Sequence, residues 1–139
     1  MLSADNAHAI HPNHPELSDA KNAPRMNEGV VIKTNAAQKY ATDAISAALF
    51  ESICKKASVP VQHYANRSDL PGGSTLGAIS STRVPLITAD IGMAQLAMHS
   101  AYETAGTRDT QYLIDATAQF YQTELVANSD RSYRLISND

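Results

Sequence analysis

GVVIKT, residues 29–34, decides how the chain is read: a β-branched run opened by glycine and apolar up to its lysine, which is the pattern of a short buried strand. Thr42 and Asp43 then open a helix, since a hydroxyl or carboxylate at that position accepts an otherwise unpaired backbone N–H. Ile45, Ala48, Leu49, Ile53 and Ala57 follow at helical spacing and give it one apolar stripe. Lys55 and Lys56 sit in the last turn, where cations suit the helix dipole, and Pro60 ends the element. VQHYAN, residues 61–66, reads as the next strand.

Upstream, LSAD at 2–5 reads as the end of a strand, and Pro12, Pro15 and Pro24 break the following stretch into a long loop with at most a short helical turn. Loops of that length in compact domains are functional or disordered. Downstream, a turn at 68–71 leads through Gly72-Gly73-Ser74 into a helix ending near Arg83, and PLITADIG at 85–92 is another strand. A last helix is predicted over 110–127, with Leu113, Ile114, Ala116, Thr117, Phe120, Tyr121 and Leu125 on its apolar face, before a polar tail that frays from Asn128. Strands alternating with helices define an α/β fold with a mostly parallel sheet flanked by helices. Such sheets bind ligands at the carboxyl ends of their strands. Asp5, Lys33, residues 66–69 and Asp90 all fall at predicted strand ends.

The 139 residues suffice for one domain with a real core. Eleven Lys and Arg against fourteen Asp and Glu leave a net charge of -3, which argues against a nucleic-acid partner, because phosphate neutralisation needs a basic surplus. No stretch approaches the ~18 consecutive apolar residues of a membrane helix. The opening MLSADNAHAIHP carries neither the basic nor the apolar region of a secretory signal. A single cysteine, Cys54, makes no internal disulfide, so the expected home is the reducing cytoplasm.

Several clusters have the residue types of a site. Asp5, His8, His11 and His14 are zinc-ligand types, although Pro12 and Pro15 break the helix that would align them, and a solvated loop with incidental histidines has the same spacing. The glycines at 72, 73 and 77 fit either a backbone anion cradle or a tight turn with close packing, and no P-loop lysine accompanies them. His99, in Met98-His99-Ser100, fits a ligand or an ordinary hydrogen-bonded histidine. Lys33 and Tyr40 are of a type to hold an anion, and Cys54 is read as a buried, inert thiol.

Taken in order, SADNAHAIHPN at 3–13, GVVIKTN at 29–35, Gln38 with Tyr40-Ala41, NRSDLPGGSTLG at 66–77, DIG at 90–92 and LAMHS at 96–100 resemble the zinc aminopeptidase family that contains the aspartyl aminopeptidases. The resemblance runs to about Glu103 and covers only the C-terminal portion of the family's chain. It implies a three-layer zinc-peptidase catalytic domain of which residues 1–139 are the closing part, without the dimerisation domain. By the same resemblance Asp5 and His99 are metal ligands, and His8, Lys33 and Tyr40 bind substrate. The implied activity is removal of N-terminal, acidic residues from a peptide substrate, with two Zn2+ ions in a complete site. The family's remaining metal ligands and its catalytic glutamate have no match here, so no general base is assigned. The implied partner is the N-terminal part of such an enzyme, or a second copy by self-association. The alternative is a non-catalytic α/β interaction or assembly module. A lesser one is an autonomous zinc protein built on Asp5, His8, His11 and His14.

Overall fold

The computed structural model describes residues 1–130 and 132–137. In chain order its elements are β1 (Leu2–Ala4), β2 (Ala7–His8), a 3-10 turn (Pro15–Leu17), β3 (Val30–Thr34), α1 (Ala44–Lys56), β4 (Val61–Ala65), α2 (Leu76–Ser81), β5 (Ala89–Gly92), β6 (Ala94–Leu96), β7 (Thr104–Ala105), α3 (Thr107–Tyr121), β8 (Thr123–Ala127) and β9 (Tyr133–Ser137). The central sheet has the order β1, β5, β3, β4. A smaller sheet joins β2, β6 and β7, and β8 pairs with β9 alone.

β3 is buried along Val30, Val31, Ile32 and Lys33, as its apolar run requires. Its alternation splits the core. Val30 and Ile32 meet Phe50 and Cys54 of α1 and Ala116 of α3, whereas Val31 faces Ala7, Tyr40, Tyr64 and Ala94 on the other side. Asp43 caps α1 as expected, accepting from Ser46 N at 2.7 Å while its own N–H donates to Ser46 Oγ at 2.9 Å. Gly29 stands at φ +122, and a Cβ there would lie 2.2 Å from the Pro60 carbonyl oxygen that accepts the Val30 N–H. Only glycine lets β3 and β4 start side by side. No helix among the described residues is long and apolar enough to cross a membrane.

Three features depart from the sequence expectation. β1 runs parallel to β5 and β3 parallel to β4, but β5 lies antiparallel to β3. The strands therefore do not share one carboxyl-terminal edge, and the polar residues gather across a face of the sheet. The strand expected from residue 85 begins at Ala89, and the helix before it is confined to Leu76–Ser81. Finally, the helix predicted through residue 127 stops at Tyr121, and the stretch expected to continue it and then fray is the antiparallel hairpin of β8 and β9. Here tertiary packing overrides a helical spacing. Leu125 and Leu135 close over Leu49, Phe50 and Ile53 around an apolar cavity of about 60 Å³, and Lys56 Nζ donates to the Leu135 carbonyl at 3.3 Å and to Ser137 Oγ at 3.0 Å.

Phe50 is 1% exposed at the centre of the helix-side core. Phe50→Ala is expected to cost about 3–5 kcal/mol, read from the shift of a urea denaturation midpoint, because the packed helices cannot collapse into the void.

Candidate functional site

The antiparallel step sets a polar row across the sheet face that α1 and α3 leave free. Ser3 pairs with Asp90, Lys33 pairs with Tyr64, and the register of Ile32 with Ile91 places Asp90 opposite Lys33. Directly opposed residues share a face, so Ser3, Asp90, Lys33 and Tyr64 line up at right angles to the strands.

Lys33 is 1% exposed, and its Nζ lies 3.4 Å from Asp5 Oδ2, 3.4 Å from the Asn6 carbonyl and 5.0 Å from the centre of the Tyr40 ring. Burial lowers its pKa, and the neighbouring Asp5 carboxylate opposes that shift. The Tyr40 and Tyr64 rings are 6.3 Å apart, and the His8 ring is 6.4 Å from Tyr64. Burial pushes the Tyr40 hydroxyl up to about 12, with Tyr64 and Asp5 adding to the shift. His8 is held below the usual histidine range by burial, then by His99 and Lys33, with Asp5 pulling the other way. The charges that act on His8 are thus those of His99, Lys33 and Asp5.

His99 is exposed and adopts a left-handed backbone at φ 67, two residues after Ala97 at φ 53. Ser100 N donates to the Ala97 carbonyl at 3.0 Å and His99 N donates to Glu103 Oε1 at 2.6 Å, which hold this turn closed. Non-glycine residues in that conformation concentrate at functional sites. Tyr40 is positioned from below: Asp90 Oδ2 accepts the Ala41 N–H at 2.5 Å, and the Asp90 N–H donates to Thr42 Oγ1 at 2.8 Å. Asp90 is fully buried, and a Cβ on Gly77 would lie 2.8 Å from its carboxylate oxygens. Gly77 is therefore a close-packing residue, the second of the two readings open to the glycine segment.

His11 and His14 sit with ring centres 5.4 Å apart, and His14 Nδ1 contacts Glu16 Oε1 at 3.1 Å. Among the described residues no group of three or more His, Cys, Asp or Glu side chains is placed to hold a metal ion, so an autonomous zinc protein has no donor set here. Cys54 is buried, and burial pushes its thiol up to about 12, which keeps it unreactive. Sequence reasoning missed Tyr64, Asn6 and Gln95. Asn6 Nδ2 donates to Gln95 Oε1 at 2.5 Å and Asn6 Oδ1 accepts from Met93 N at 3.1 Å, fixing the link that carries Asp5 and His8. Strand alternation would have found Tyr64, since it sets that side chain on the face of Lys33 once the register is known.

Asp5 paired with the buried Lys33 on one face of the sheet, with His8 beside Tyr64, has residue types that metallopeptidase sites use. Comparison with known proteins gives the family. A family model described as "Aminopeptidase I zinc metalloprotease (M18)" matches residues 1–121, and the chain belongs to that family. "Probable M18 family aminopeptidase 2" of Clostridium acetobutylicum is 48% identical over 121 residues, which are 87% of this chain and 28% of that protein. Among solved structures, one titled "Cryo-EM structure of the Ape4 and Nbr1 complex" superposes with a TM-score of 0.85 at 38% identity over 86% of this chain and 23% of its own. An mApe1 dodecamer from S. cerevisiae gives 0.76 at 28% identity over 86% of this chain and 26% of its own. The chain thus spans under a third of the length of these relatives, and the matched segment ends where the β8–β9 hairpin starts.

Two outcomes test this geometry. Asp5→Asn leaves the Lys33 ammonium without its carboxylate and is expected to cost about 1–3 kcal/mol at neutral pH. In a denaturation double-mutant cycle, adding Lys33→Met should recover part of that loss, because a buried charge without its pair is worse than an apolar replacement. Tyr40 holds its proton to about 12 when folded against 10.0 in the free residue. The folded state binds that proton more tightly, so its stabilisation is complete below pH 10.0 and is lost as pH rises toward 12. The decline of the urea midpoint across that window should be shallower in Tyr40→Phe.

Proposed function

We propose that this chain supplies part of the active site of a zinc-dependent aminopeptidase that removes N-terminal, acidic residues from peptides. Residues 1–139 are read as the C-terminal portion of the metallo-aminopeptidase catalytic domain, without the dimerisation domain. Asp5 and His99 are the zinc ligands, and His8, Lys33 and Tyr40 contact substrate. The observation that supports the reading is the pairing of Asp5 with the buried Lys33, 28 residues apart in sequence, inside the segment that matches the family model.

The donor set suits zinc in kind, since carboxylate and imidazole are its usual oxygen and nitrogen ligands. It falls short in number, because a catalytic zinc takes about three protein ligands and two metals take more. The remaining donors and the general base come from the rest of the family's chain, and a complete site holds two zinc ions. When bound, zinc polarises the scissile carbonyl and acidifies a water. This chain's own residues bind and orient. Lys33 has three N–H donors, of which Asp5 and the Asn6 carbonyl engage two, so from its buried position it fixes Asp5 and sets a positive charge behind the place where a substrate carboxylate binds. The Tyr40 ring keeps the ammonium in place by a cation–π contact. The buried free thiol of Cys54 supports a reducing, cytoplasmic setting. The second reading, a non-catalytic α/β module, is favoured by the shortfall in metal donors.

The test is an assay on an aspartyl chromogenic substrate with zinc present. The 139-residue chain alone should give no turnover above the blank. Mixed with the part of the Clostridium acetobutylicum relative outside the 121-residue match, it should gain activity that falls at least a hundredfold, roughly the upper end seen for lost metal-site partners, in Asp5→Ala and in His99→Ala. Turnover by the chain alone would overturn the shared site, and an inactive complex would leave the non-catalytic module standing.

A further inference from the structure

β8 and β9 lie beyond residue 121, where the family match ends, and among the described residues they pair only with each other. The hairpin holds its own shape by local bonds. At its turn the Asn128 N–H donates to the Ser132 carbonyl and Asn128 Nδ2 to Ser132 Oγ, each at 2.9 Å, and Asp130 Oδ1 accepts from Ser132 N at 3.0 Å. Directly opposed residues share a face, so Thr123 with Ser137 and Leu125 with Leu135 turn toward α1, and Glu124 with Ile136 turn to solvent.

The seat of the hairpin on the domain is shallow. No residue of either strand is fully buried, and Leu125, at the centre of the inner face, is 42% exposed. The two leucines rest over Leu49, Phe50 and Ile53 but leave the cavity of about 60 Å³ beneath them unfilled. Lys56 adds a polar attachment through its bonds to the Leu135 carbonyl and Ser137 Oγ. At its start the ribbon leaves α3 through Gln122 without a linker, and Thr123 Oγ1 donates back to the Gln119 carbonyl at 2.7 Å. A two-stranded ribbon is marginal in water by itself. Its order therefore depends on a seat that buries little.

We propose that the β8–β9 hairpin is a strap that opens as a unit, hinged at Gln122, while the rest of the domain stays folded. Opening releases the Lys56 bonds and bares the apolar groove of Leu49, Phe50 and Ile53, and closing covers it again. Units held by few buried apolar contacts open at a lower free energy than the whole domain. None of these contacts involves Asp5, His8, Lys33, Tyr40 or His99, so the strap stands or falls apart from the catalytic reading.

The test is amide hydrogen exchange of the 139-residue chain, followed residue by residue by NMR under native conditions. The hairpin amides should be protected, yet exchange roughly a hundredfold faster than those of β3. Val31 is buried on the sheet face turned away from α1, so Val31→Ala weakens the domain and not the seat. It should speed β3 exchange by about tenfold and leave hairpin exchange within about twofold of the parent. Urea below the unfolding midpoint makes the same comparison without a substitution: β3 exchange should rise steeply and hairpin exchange little. Leu135→Ala and Lys56→Met should speed hairpin exchange by about tenfold and about threefold. Equal acceleration of the hairpin and β3, in Val31→Ala or in urea, means that the hairpin opens only when the whole domain unfolds, and overturns the strap. Hairpin amides without protection in the parent chain overturn it too, because no closed state would exist. Hairpin exchange unmoved by Leu135→Ala does the same, since the seat would then lie elsewhere.

Discussion

A lysine side chain with almost no access to water has to find its compensation inside the protein, and Lys33 finds it on the free face of the central sheet. Asp5 and the Asn6 carbonyl each lie 3.4 Å from its ammonium, and the Tyr40 ring covers it. Each of these contacts depends on another layer. Asp5 is in reach because β1 pairs with β5, and Tyr40 because Asp90 ties down Ala41 and Thr42. Asp90 stands opposite Lys33 because β5 runs antiparallel to β3. An apolar residue at position 33 would relax all of these demands at once, which is why the face is organised around a charge and not around a core side chain.

The two sides of the sheet do different work. The helix side is conventional: Val30, Ile32, Ala89 and Ile91 pack on Phe50, Cys54 and Ala116 with no polar side chain among them. It supplies the hydrophobic stabilisation, at roughly 1.5–3 kcal/mol for each large apolar side chain fully buried. The opposite side spends some of that stability on buried polar groups such as Asp90, one of whose carboxylate oxygens has no hydrogen-bond partner. Such a division lets the site be strained and polar while the fold is secured elsewhere.

Much of this was legible in the sequence, and the limits have physical causes. GVVIKT, the Asp43 cap and VQHYAN gave three elements in the right places, because each is fixed by local pattern and capping chemistry. The antiparallel step was hidden, since strand direction depends on long-range pairing that periodicity does not record. The final hairpin was hidden for a related reason: 110–127 has helical spacing throughout, and only the packing of Leu125 and Leu135 over α1 decides against it. In the candidate site the residues near motifs, Asp5, His8, Lys33, Tyr40 and His99, came from resemblance. Tyr64, Asn6 and Gln95 became visible only when the register brought them beside those residues.

The pairing of β1 with β5 joins Leu2 to Ala89, across most of the matched segment. Closing so long a loop is slow compared with forming a helix or a neighbouring hairpin. β5 follows α1 and the β3–β4 pair in the chain, so β1, whose partner is β5, has no seat in the sheet until residue 92 has been made. The contact between Asp5 and Lys33 therefore waits on a strand remote from both.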